Sequence, residues 1–351
     1  MLISSDFWHG KRVLITGHTG FKGGWLSIFL NFLGADVYGY SLEPKYKPNV
    51  FELCDLENLI QSTYGDINDK NSFQKVVSRS NPDILFHMAA QPLVRQSYAE
   101  PISTFETNIM GTAKVLDATL KSNNIKAIIN VTSDKCYENI ETNDPYDEDS
   151  PMGGHDPYSC SKGCAELVAS SYRRSFCVEK GIGLASVRAG NVIGGGDWSN
   201  DRLIPDIIRS ISEKQKLIIR SPYSIRPWQH VLEPLSGYIL LAEKLYDDPK
   251  KFSSGWNFGP DTHEVHSVQE IVKLIKQKWD RFEYEIKIDK TLHEANILKL
   301  DISKSKNDLG WKPLWGIDET LTKVVDWYRE ELSNRNIYDF TLNQIDEFIN
   351  A

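Results

Sequence analysis

The chain has 351 residues, of which 40% are hydrophobic and 25% charged, with a formal net charge of −8. That length suits one large or two intimate domains, and the composition excludes a disordered chain. The acidic balance argues against a nucleic-acid or anionic-membrane partner, while leaving room for a local basic site for one phosphorylated ligand. Five scattered cysteines, Cys54, Cys136, Cys160, Cys164 and Cys177, form no Cys-x-x-Cys pair. They read as reduced thiols in a cytoplasmic protein. No apolar run approaches the ~20 residues of a membrane span, and Met1 to Gly10 lacks the apolar core of a signal peptide.

Arg12 to Thr16 is a short apolar, partly β-branched run that predicts a buried strand. It enters Gly17-His18-Thr19-Gly20-Phe21-Lys22-Gly23-Gly24, after which Trp25, Leu26, Phe29, Leu30 and Leu33 keep helical spacing. Strand, glycine turn, helix is the context that makes a glycine motif evidence for a dinucleotide. Glycines let the backbone approach a pyrophosphate at the helix N-terminus. Gly17, Thr19, Gly20, Phe21, Lys22 and Gly23 are therefore candidate cofactor contacts. Asp36 to Tyr40 predicts the second strand. Glu43 lies 20 residues past Gly23, where an acidic group would hold ribose hydroxyls. Ser41 closes the strand, however, and Lys45 and Lys47 follow. We expect NAD rather than NADP, with Ser41 and Glu43 at the ribose.

Gly65-Asp66-Ile67 predicts the end of a third strand, with Asp66 and Ile67 beside the adenine. Asp83 to Ala90 predicts a fourth, running into the small residues Ala89 and Ala90, which admit the cofactor. His87 in that strand is a candidate substrate contact, or a packed strand-end histidine. Ser103 to Ser122 predicts a helix with one apolar stripe, either core or an exposed dimer face. Lys126 to Val131 predicts the fifth strand. Strands alternating with helices imply an α/β fold with a parallel sheet, whose ligands gather at strand C-terminal ends.

The fifth strand ends in Thr132-Ser133-Asp134-Lys135-Cys136-Tyr137, so polar groups emerge at that edge. Downstream, Asp156 suits an N-cap and Pro157 the first helical position. Tyr158 and Lys162 then fall on one helix face. A lysine beside a phenol favours phenolate, which can take a proton from an alcohol. Alone this pair is weak evidence, because Tyr-x-x-x-Lys also arises as a lysine over a packed tyrosine.

With the glycine turn and the polar strand end, in this order, the set resembles the extended short-chain dehydrogenase/reductase superfamily. The resemblance covers nearly the whole chain and includes His87-Met88-Ala89-Ala90, Asn108 and Ser186 to Val192. It implies a Rossmann-type doubly wound parallel sheet in residues 1–190. Residues 191–351 would then form mainly a smaller C-terminal α/β substrate-binding lobe, with segments near 227–260 returning to the first domain. Asn108 joins the cofactor contacts and Asn191 the substrate contacts on this basis.

Within the superfamily, nucleotide-sugar 4,6-dehydratases end the fifth strand in Thr-Asp-Glu. Here Ser133-Asp134-Lys135 stands there, so a lysine replaces the glutamate. That departure, Pro151 to Gly154, Gly194 to Trp198 and Arg226 to Val231 are similar to the CDP-glucose branch. The resemblance implies C4 oxidation, loss of water across C5 and C6, and hydride return to C6. Tyr158 would take the C4 hydroxyl proton, with Thr132 or Ser133 on the same oxygen. Lys162 would lower the tyrosine pKa and hold the ribose. Asp134 would be the acid and Lys135 the base, which requires a neutral lysine. Gly194-Gly195-Gly196 is expected as a flexible joint into the lobe. Arg95, Arg202, Arg220 and Arg226 are candidate substrate contacts, because the guanidinium fork matches phosphate oxygens. Of these, Arg226 is expected to lead. His293 and Glu294 lie where relatives place a late contact and receive no role. No His-Glu-x-x-His spacing appears, so no metal is expected. A homodimer making precursors for surface polysaccharide completes the expectation. Rival readings are a 4-epimerase or reductase on the same scaffold, or a cofactor-sensing regulator without catalysis.

Overall fold

The computed structural model describes residues 3–261, 264–289 and 297–351. Seven strands form one parallel sheet: β1 (Arg12–Thr16), β2 (Asp36–Ser41), β3 (Gln61–Tyr64), β4 (Ile84–His87), β5 (Ala127–Val131), β6 (Gly183–Ala189) and β7 (Gly255–Phe258). Every residue of β4, β5 and β6 is buried. That explains why they read as continuous apolar runs rather than alternating ones. In β1, Val13 and Ile15 join a large core on one face while Leu14 joins a smaller one on the other.

The strand order is β7-β6-β5-β4-β1-β2-β3. It reverses direction of growth between β1 and β4, which opens a crevice beyond their C-terminal ends. The helices that matter for the crevice are α1 (Phe21–Phe32), α2 (Gly111–Thr119), α3 (Pro157–Tyr172), α4 (Leu203–Glu213), α5 (Leu232–Asp247), α6 (Val268–Lys278), α7 (Ile317–Leu332) and α8 (Ile337–Ile349). A full capping box of Ser267 and Glu270 starts α6.

Two expectations change in detail. The third strand stops at Tyr64, before Gly65. The helix expected over 103–122 is broken into Pro101–Phe105, a π turn at Glu106–Met110, and α2. One expectation fails outright. Gly194-Gly195-Gly196 is buried, not a flexible joint. A Cβ on Gly195 would sit 2.0 Å from the Trp327 ring of α7, and one on Gly194 2.8 Å from Val231. The Gly195 carbonyl also accepts from Trp25 Nε1 at 2.8 Å. The glycines let α7 press against the chain leaving β6. His293 and Glu294 lie outside the described residues. Among the described residues no helix is long and apolar enough to cross a membrane.

Gly195→Ala is expected to destabilise the fold by about 1–3 kcal/mol, because its methyl would overlap the fully buried Trp327 ring. Equilibrium denaturation checks this; an unchanged midpoint would mean that the Trp327 pocket yields.

Candidate active site

β1 runs into Gly17, whose φ of +81° suits glycine. A Cβ there would lie 2.7 Å from the Ala89 nitrogen, and one on Gly23 2.1 Å from the Gly17 carbonyl oxygen. The turn after β1 and the end of β4 thus close on each other. Gly20 caps α1 without a side-chain bond, leaving the first-turn N–H groups for an anion. The cradle and its donors fit a dinucleotide's pyrophosphate.

Around the cradle, several expected contacts have other work. The Ser41 and Thr19 hydroxyls bond each other at 2.9 Å, and Thr19 also donates to the Leu42 carbonyl, which stiffens the end of β2. Glu43 is exposed there. Asp66 is exposed and accepts from Asn68 N–H at 2.8 Å, while the Ile67 side chain is buried in the smaller core. Ala89 and Ala90 are half-buried at the crevice.

His87 is not a substrate contact. It is 2% exposed, its Nδ1 meets the Thr16 hydroxyl at 2.7 Å and its Nε2 the Thr112 hydroxyl at 3.1 Å. Thr112 already donates to the Asn108 carbonyl, so His87 Nε2 must donate and Nδ1 accept. Burial and nearby Lys162 lower it to about 3, so it stays neutral. Asn108 likewise does not offer its amide to the cofactor. Its Oδ1 accepts from Gln91 N–H at 2.8 Å, and its Nδ2 donates to the Gln91 carbonyl and to Ser161 Oγ. The π turn aims it inward, so it fastens the loop after β4 to α3.

At α3, Asp156 Oδ1 accepts from Ser159 N–H at 2.9 Å and Pro157 is the first helical residue, as the sequence predicts. Tyr158 is 8% and Lys162 6% exposed. Burial pushes the Tyr158 phenol up to about 12; a bond with Ser133 and the Arg202 guanidinium oppose it. Arg202 is thus a cation that favours the phenolate here. Burial lowers Lys162 to about 8, against Glu166 and Cys136. Its Nζ donates to the Val131 carbonyl at 3.3 Å.

Thr132 and Ser133 divide. The Thr132 hydroxyl meets Glu166 Oε1 at 2.5 Å and faces the interior behind α3, so it is not the partner of a substrate oxygen. Ser133 is the hydroxyl beside Tyr158, and it donates to Asp134 Oδ1 at 3.0 Å. Asp134 is 3% exposed, and burial raises its pKa despite Lys135, Ser133, Arg226 and Lys22 nearby. A protonated carboxyl at this edge can serve as an acid. Its Oδ2 lies where a Cβ on Gly190 would approach to 2.9 Å. Lys135 follows on a single 3-10 turn and lines a small cleft with Asn139, His155 and Asp156.

Of the arginines, two reach this centre. Arg202 is paired with Asp197 at 3.0 Å and acts on Tyr158; Arg226 is 6% exposed and acts on Asp134. Arg220 is paired with Asp201 at 2.7 Å and Arg95 with Asp289 at 3.0 Å, so each would have to share its charge with a ligand. Asn191 is half-buried, and its carbonyl accepts from Gln229 N–H at 3.1 Å. Lys22 lies 5.7 Å from the Tyr238 ring, and burial with Lys162, then Arg202, lowers it to about 7. It therefore belongs to the reacting centre as well as the cradle. Glu166, overlooked in the motif reading, continues the face of Tyr158 and Lys162 by another four residues. Among the described residues no cluster of three or more His, Cys, Asp or Glu could hold a metal.

A sequence model of the family described as GDP-mannose 4,6 dehydratase matches residues 14–324. The chain belongs to this family. A CDP-glucose 4,6-dehydratase of Salmonella typhimurium is 51% identical over 356 aligned positions, covering 100% of this chain and 99% of the relative. A human dTDP-D-glucose 4,6-dehydratase is 25% identical, covering 92% and 91%. The solved structure of a dTDP-glucose 4,6-dehydratase from Streptomyces venezuelae, with NAD and DAU bound, superposes with a TM-score of 0.77 at 22% identity, covering 92% and 98%. The dehydratase fold of the family is thus the fold of this chain.

Removing the Ser133 hydroxyl is expected to lower kcat about 100-fold, in the range for a lost oxyanion donor. Steady-state kinetics of Ser133→Ala checks this; full activity would assign the role elsewhere.

Proposed function

We propose that the protein is an NAD-dependent CDP-glucose 4,6-dehydratase, a lyase that makes CDP-4-dehydro-6-deoxy-D-glucose and water. The full-length likeness at 51% identity carries this reading, together with a buried acid and a lysine side by side after β5. Bound NAD would supply a hydride acceptor at C4 that later returns the hydride to C6. Gly17, Gly20 and Gly23 would hold its pyrophosphate, and Lys162 its ribose. Tyr158 takes the C4 hydroxyl proton as phenolate, the form that Ser133 and the Arg202 guanidinium favour against burial, and Ser133 hydrogen-bonds the same oxygen. The ketone makes C5–H acidic, because the carbanion becomes an enolate. Lys135 removes that proton, and Asp134, whose pKa burial raises, protonates the departing C6 hydroxyl. Arg202 and Arg226 would meet the diphosphate, with Asn191 nearer the sugar.

The same proposal extends to a cytoplasmic homodimer serving surface-polysaccharide assembly. Five unpaired thiols support the compartment. Support for the dimer is apolar exposure on neighbouring helices: Ile102 and Met110 on the run before α2, and Leu167 on α3 with Phe176 and Val178 beyond it. Light scattering should give twice the chain mass, and Leu167→Glu should give the monomer; a monomeric wild type would remove the dimer.

The chemical test is incubation with CDP-, dTDP-, GDP- and UDP-glucose without reductant, following absorbance of a 4-keto sugar in alkali. CDP-glucose should dominate. A 4-epimer with no keto product would favour an epimerase, which needs no acid at C6. Lys135→Met should retain C4 oxidation but lose C5 proton exchange with deuterated water; exchange at the wild-type rate would exclude Lys135 as the base.

A further inference from the structure

Behind the Tyr158 and Lys162 face lies a buried network that the reaction above does not use. Glu166 is 5% exposed and sits one turn beyond Lys162 on α3. Its Oε2 accepts from Arg188 Nη2 and its Oε1 from Arg188 Nε, both at 2.9 Å, a bidentate pair. Oε1 also accepts from the Thr132 hydroxyl at 2.5 Å. Arg188 Nη1 reaches the Tyr137 hydroxyl at 2.7 Å, and Tyr137 donates to Asn257 Oδ1 of β7 at 2.7 Å. One carboxylate therefore ties α3 to the end of β5, next to Ser133 and Asp134, and to β6, which leads to Asn191.

We infer that Glu166 is a positioning residue for this site, acting through Thr132 on the Ser133 turn and through Lys162 on the cofactor ribose. A second observation agrees. Burial alone would push Glu166 up, but Arg188 and Thr132 hold it below the usual carboxylate range, so it is a permanent anion. Lys162 is dehydrated to about 8, and Glu166 is the leading group that opposes the loss of its proton. The other ionisable groups acting there are Cys136 from the turn after β5, which supports the charge, and two groups that feel it: neutral His87 on β4 and Lys22 on α1. Arg188 and Arg173 act on Glu166 from behind. Without the anion, Lys162 would become neutral at lower pH, and ribose binding would weaken there.

The inference rests on the reading that NAD binds beside Lys162. Its test is NAD affinity by calorimetry across neutral and alkaline pH. Wild-type affinity should fall as pH passes about 8, where Lys162 loses its proton. In Glu166→Gln the fall should begin at lower pH, with binding at pH 7 weakened about twofold by the first unit of displacement and by about tenfold in all after two. Glu166→Asp should recover part of it. Glu166→Gln leaves Arg188 buried without its anion, so the double variant Glu166→Gln/Arg188→Met is the folding control, and it should show the same displacement. A folded double variant with the wild-type pH profile would overturn the inference. Should both variants fail to fold, Thr132→Val decides. It keeps the ion pair, and about tenfold lower kcat with unchanged KM supports the inference; unchanged kcat overturns it. A wild type that binds no NAD would instead fail the reading of the cofactor.

Discussion

Charge is buried where seven parallel strands present their C-terminal ends, and the chemistry follows from that. Asp134, Tyr158 and Lys162 are each less than a tenth exposed. Water cannot stabilise their charged forms there, so each shifts toward neutrality: the carboxyl and the phenol upward, the ammonium downward. A carboxyl whose pKa burial raises is what an elimination next to a ketone requires of its acid. The same groups exposed in solvent would be a carboxylate and a fixed ammonium.

Dehydration on this scale needs compensation, and the structure supplies it from behind rather than from solvent. His87 is neutral and locked between two threonines. Asn108 spends its amide on Gln91 and Ser161. Glu166 and Arg188 neutralise each other beneath α3. These residues satisfy one another and leave Tyr158, Ser133 and Asp134 as the polar groups gathered at the strand ends. Lys22, Arg202 and Arg226 add a cationic surround, which suits a substrate that brings its own diphosphate.

Much of this is legible in the amino-acid sequence. The glycine turn between an apolar strand and a helix has one physical use at this spacing, and Asp156-Pro157 marked the start of α3 correctly. What stayed hidden was direction. His87 and Thr132 carry suitable groups at suitable strand ends, yet each points into the interior, because period-two alternation sends neighbours to opposite faces. Thr132 and Ser133 differ by one residue and hence by one face. Gly194 to Gly196 looked like a hinge because glycine permits freedom, but glycine also permits contact, and Trp327, far along the chain, makes that contact. Lys22 read as a cradle residue, since nothing local reveals that Tyr238 and Asp134 lie opposite it.

One dry site performs oxidation, elimination and reduction without releasing its hydride. The most direct measurement is the fate of deuterium in CDP-glucose labelled at C4 and converted in ordinary water. The label should be recovered at C6 of the 4-keto product, with the C5 hydrogen drawn from solvent. A product unlabelled at C6 would contradict it.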